Sequence, residues 1–159
     1  MVKSKNGLWC AAVVSMLSVW SVSPAWATHP IREPSPEELA RRCIHHVRTL
    51  AQRCADANAQ VAHECVQRIE HLLAHGEEEQ AQRLARHCIN NINRQSQQCV
   101  QTIHQHCRQC VQTLLELGEP ELAHRVRLAC DAAIQLVRQS QHDAVSAIRA
   151  ALGDTTTAE

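Results

Sequence analysis

Nine cysteines and eleven histidines stand in 159 residues, and both are ordered in their spacing. Cys43, Cys54 and Cys65 follow one another every eleven residues, and so do Cys88, Cys99 and Cys110. Cys107 and Cys130 stand outside these two series. Thiols so arranged can form disulfides, bind soft metals or exchange with other disulfides. Cys107-Arg108-Gln109-Cys110 is formally a C-x-x-C, but it lacks the helix N-terminus that activates a redox pair. Val111 replaces the histidine that haem attachment needs at the next position. Among the histidines, His71 and His75 share a helix face at i,i+4. His104 and His106 lie beside Cys107 and Cys110, with His45 and His46 near the same level of a facing helix. Imidazole groups so placed can hold Zn or Cu.

Which chemistry the thiols adopt depends on compartment. Lys3 and Lys5, an apolar run over residues 8–20 and Ala25-Trp26-Ala27 together read as a secretory signal peptide spanning residues 1–27. The run is too short for a comfortable membrane span. Cleavage after Ala27 predicts a secreted or periplasmic chain without a transmembrane segment. It takes Cys10 away and leaves eight cysteines, an even number suited to disulfides in an oxidising compartment. The 14 Arg that remain face 16 acidic residues, so nothing marks a polybasic nucleic-acid binder. All three Trp lie before residue 28, and Phe and Tyr are absent, which removes any platform for stacking bases.

The elements that hold these residues must be helices. The stretches 37–75, 78–117 and 121–152 are rich in Ala, Leu, Gln, Arg and Glu and contain neither Gly nor Pro. Ser35-Pro36-Glu37-Glu38 is a helix start with a serine cap and proline in the first turn. Glu77 to Glu79 and Glu119 to Glu121 place negative charge at the next two N-termini, where the helix dipole favours it. Gly76, Gly118 and Gly153 stand where C-caps are needed. The expected fold is all-α: three long antiparallel helices, a hairpin plus a third helix, over residues 35–153. Residues 28–34 and 154–159 are expected to be tails.

Helix geometry then selects one disulfide pairing. Eleven residues are about three turns, so each cysteine series lines one face. Facing residues of an antiparallel hairpin have a constant sum of positions. The pairs Cys65–Cys88, Cys54–Cys99 and Cys43–Cys110 each add to 153, which puts the turn between Gly76 and Glu77. Cys107–Cys130 centres on the junction of Gly118 and Glu119. An internal repeat accompanies this register: Leu39-Ala40-Arg41-Arg42-Cys43 recurs as Leu84-Ala85-Arg86-His87-Cys88. The apolar stripe is narrow, with Asn58, Gln95 and His106 intruding, and disulfides compensate for the thin core. Helix three has one staple, so its half beyond about Ser140 is expected to be the most mobile.

Mitochondrial twin-CX9C proteins resemble this scheme in stapling an antiparallel helical hairpin. Here ten residues separate the cysteines and a third helix is added, so the likeness is one of geometry. The short C-x-x-x-C spacings of bacterial copper-storage bundles are absent. No H-E-x-x-H, G-x-S-x-G or glycine-rich phosphate loop occurs. The leading expectation is therefore a non-enzymatic structural or binding module without a cofactor, whose partner is an unidentified protein or envelope component. The alternative is a Cu- or Zn-binding protein that uses His45, His46, His104, His106, His71 and His75, or reduced Cys together with His.

Overall fold

The computed structural model describes residues 34–153. The expected signal peptide, nearly all of the N-terminal tail and the C-terminal tail lie outside the described residues. Within them the chain forms three helices: α1 (Pro36–Ala74), α2 (Glu78–Glu116) and α3 (Pro120–Ala151). The α1 and α2 helices have 39 residues each and α3 has 32. At about 1.5 Å per residue the first two are rods of roughly 60 Å.

Each end has a local cause. Ser35 adopts an extended backbone, and its hydroxyl accepts from the Glu38 amide at 3.2 Å. Pro36 occupies the first helical turn, where no amide donor is required. At the other end of α1, Gly76 takes a φ of 75°. That left-handed residue lets the Gly76 amide reach the Leu73 carbonyl at 3.0 Å and the Glu77 amide reach Leu72 at 2.9 Å. Gly118 repeats the arrangement, with the Glu119 amide on the Leu114 carbonyl at 2.9 Å. Three residues therefore suffice to reverse the chain at each turn.

The predicted register is the observed one. Four disulfides join Cys43–Cys110, Cys54–Cys99, Cys65–Cys88 and Cys107–Cys130, with Cα separations of 6.2–6.5 Å. Three are rungs between α1 and α2, and the fourth ties α2 to α3. Residues 107 and 110 are about 300° apart on a helix, hence 60° the short way round, so neighbouring sulfurs reach different helices.

No disulfide joins α1 to α3, and their association rests on packing. The core falls into two clusters. One gathers Val47, Ala51, Ile103, Leu114, Val126 and Val137, among others, toward the turn between α2 and α3. The other gathers Ile69, Ala81, Ala85, Ile92, Ala144 and Ile148 toward the turn between α1 and α2. The far half of α3 is thus packed as well as the near half, and Ile148 is fully buried. Aliphatic and sulfur side chains alone fill both clusters.

Candidate functional site

Between the two clusters, one polar residue from each helix meets its neighbours. Asn58 is fully buried, and its Nδ2 donates to Ser96 Oγ at 2.9 Å and to Ser140 Oγ at 3.3 Å. Ser140 in turn donates to the Ala55 carbonyl at 3.1 Å. This node marks the middle of the bundle. The sequence pattern flags Asn58 as an intruder on the apolar stripe, but its partners are not evident there. Gln95, which shares the sum of 153 with Asn58, is partly exposed, and Ser96 next to it turns inward.

The chemistry-bearing group sits at the outermost α1–α2 rung. His106 lies one turn before Cys110, and its Nε2 is 3.6 Å from Cys110 Sγ. The Cys43 and Cys110 sulfurs and a His106 ring nitrogen all lie within 4.8 Å of one another. Among the described residues this is the only set of three such ligand atoms so close together. The ring of His46 stands 4.4 Å from that of His106, centre to centre, tilted by 49°. Partial burial, and secondarily the neighbouring His46, hold the His106 imidazole below the usual histidine range. A neutral ring retains a lone pair on one nitrogen. A groove of 540 Å³ opens over the rung, bordered by His45, His46, Thr49 and Arg53 as well as the cysteines. Arg42 borders it too, but is tied to Glu38 at 2.7 Å.

The remaining histidines separate. His45 shares the groove with His46 and His106. His104 faces the α2–α3 side, beside Cys107, Arg127 and Asp131. Two residues along a helix turn it through about 200°, which is why His104 and His106 part company. His71 and His75 stack at 4.3 Å. His75 Nδ1 donates to the His71 carbonyl at 2.8 Å. No third ligand atom, from Glu78 or Glu79 or elsewhere among the described residues, joins this pair. Cys107 and Cys110 are not bonded to each other, since each sulfur is held by a different helix.

Comparison with protein-family models, curated proteins and solved structures finds no match for this chain.

Proposed function

We propose that this chain is an exported, non-enzymatic structural or binding module that presents rigid helical faces to a protein or envelope component. One observation carries the reading: four disulfides bind three helices that are joined by turns of only three residues. Disulfides of this density suit an oxidising compartment, and no described helix is long and apolar enough to cross a membrane. Rigidity of this kind preserves a surface and lowers the ordering cost of binding. The outward face of α1 offers Arg48, Arg53 and Arg68 among exposed glutamines, a polar surface suited to a partner with acidic groups.

The test is twofold. Protein recovered from its native compartment without reduction should weigh about 8 Da less than the reduced chain, one hydrogen per sulfur. A photo-cross-linker at exposed Arg48 should capture one defined component, and charge reversal at Arg53 should abolish that capture. Finding the eight thiols free in the native compartment refutes the reading. A second reading, binding of Cu or Zn, is favoured by the grouping of Cys43, Cys110 and His106.

A further inference from the structure

We propose that the Cys43–Cys110 rung is a redox-gated site for a thiophilic d10 cation, Zn²⁺ in the first instance. As a disulfide the rung is closed to metal; reduced by a dithiol, it presents Cys43, Cys110 and His106 as ligands, with His46 completing the set. The inference deepens the metal-binding reading and is independent of whether the bundle serves as a scaffold.

Three features support it. The first is proximity: two sulfurs and an imidazole nitrogen already lie within 4.8 Å. Zinc–sulfur bonds of about 2.3 Å at a tetrahedral ion hold two sulfurs ~3.8 Å apart. Small side-chain rotations on Cα atoms 6.4 Å apart reach that separation. His106 Nε2 is 3.6 Å from Cys110 Sγ, and exposed His46, its ring 4.4 Å from that of His106, is the candidate for the fourth position. A set of two thiolates and two imidazoles is typical of structural zinc.

The second feature is selectivity among rungs. The other three disulfides have no imidazole nitrogen so placed among the described residues. The third is tolerance of opening. Val47, Ala51, Ile103, Leu114 and Val126 pack around this level in one cluster. Cys54–Cys99 keeps α1 on α2, and Cys107–Cys130 keeps α3 in place. The groove over the rung gives reductant and metal a common route.

The chemistry balances in two steps. A thiolate of the dithiol attacks one rung sulfur, the Cys43–Cys110 bond breaks, and a mixed disulfide forms. The second thiol of the reductant displaces the protein sulfur, so the reductant leaves as its own disulfide. Two electrons have passed to the rung, which is now two thiols. Zn²⁺ then displaces their two protons, forms two zinc–sulfur bonds and accepts lone pairs from the imidazoles.

The full oxidised protein should be equilibrated with graded dithiol/disulfide ratios at fixed, buffered free Zn²⁺. Differential alkylation and mass mapping then report each rung separately. Above the dissociation constant, every tenfold rise in free Zn²⁺ should lower the dithiol ratio that half-opens Cys43–Cys110 by about tenfold, because the metal binds only the open form. The other three rungs should not move. His106→Gln should cut the shift at least tenfold, and His46→Gln should reduce it less. Far-UV circular dichroism on the same samples checks that the helices persist. Co²⁺ in place of Zn²⁺ should give thiolate charge-transfer absorption in reduced wild type and none in the Cys43→Ser, Cys110→Ser pair. An equal shift at all four rungs, no shift at all, or a full shift in His106→Gln overturns the proposal. None of these outcomes bears on the scaffold reading, which stands or falls with the native thiol state and the cross-linked partner.

Discussion

Removing the central rung, by Cys54→Ala with Cys99→Ala, is expected to destabilise the bundle less than removing Cys107–Cys130. Sequence separation alone argues the opposite, because the central rung spans 45 residues and the other spans 23. Taken singly, loops of those lengths give about 4.0 and about 3.4 kcal/mol of denatured-state entropy. The rungs are nested, however. With Cys43–Cys110 and Cys65–Cys88 in place, the unfolded chain between them is already a ring of roughly 46 residues. Cys54–Cys99 only divides that ring into halves of about 23. Two flexible halves acting in parallel behave like a loop of about 12, worth about 2.8 kcal/mol. No other rung encloses the stretch between Cys107 and Cys130, so that disulfide keeps its full ~3.4 kcal/mol. Guanidinium unfolding of the oxidised double-alanine variants measures both. Loss of sulfur packing works in the same direction, since Cys99 is half-buried whereas Cys107 and Cys130 are buried. The central pair should therefore cost at least ~0.6 kcal/mol less than the other. A central pair that costs ~0.5 kcal/mol more would mean the rungs act as independent loops, and would refute the nesting argument.

Asn58→Ala should cost about 1–2 kcal/mol in the same assay, from two lost hydrogen bonds and a void at a fully buried position, offset in part because the Oδ1 removed with them is buried and accepts no hydrogen bond. A loss below ~0.5 kcal/mol would show that the polar node contributes nothing to stability. Gly118→Ala should cost about 1–2 kcal/mol through its φ of 79° alone, since an added Cβ meets nothing within 4 Å. Gly76→Ala, in the same kind of turn, should match it within a few tenths by thermal or chemical unfolding. Hydrogen bonds from Arg41 and Arg42 hold the Glu38 carboxyl below its ordinary value. Its folded pKa is thus depressed, so its small contribution is present above the unfolded value and lost as pH falls through the folded one. An NMR titration of Glu38 should show a lower midpoint in wild type than in the Arg41→Gln, Arg42→Gln variant.

Much of this fold is legible in residue spacing because helix periodicity and antiparallel pairing are both arithmetical. Cys54 can face Cys99 only if the turn lies at Gly76, and the cap chemistry independently requires it there. The same arithmetic loses its hold inside the bundle, where rotation of one residue decides what touches. It pairs Asn58 with Gln95, whereas the structure turns Ser96 inward. Ser140 is harder still to foresee, since beyond its turn α3 is tied to its neighbours by a single disulfide. The candidate site shows both sides of this. The i,i+4 relation of His106 to Cys110 is visible in the chain, and so is the ~200° that separates His104 from His106. That an imidazole nitrogen comes within reach of both sulfurs depends on side-chain rotamers, which spacing does not encode.

The arrangement of the rungs also governs how the protein would bear a pull. Tension applied at residues 34 and 153 runs along the chain to Cys43 and crosses to Cys110. From there it passes back to Cys107, over to Cys130 and out along α3. Residues 44–106 and 111–129 are bypassed and carry no load while the bonds last. Even with every helix unravelled, the oxidised chain could lengthen to only ~130 Å, against ~420 Å for the same residues without bridges. The molecule is in this sense a short tether with a fixed stop, and opening Cys43–Cys110 would move that stop only to ~190 Å, because Cys54–Cys99 and Cys107–Cys130 still bypass residues 55–98 and 108–129.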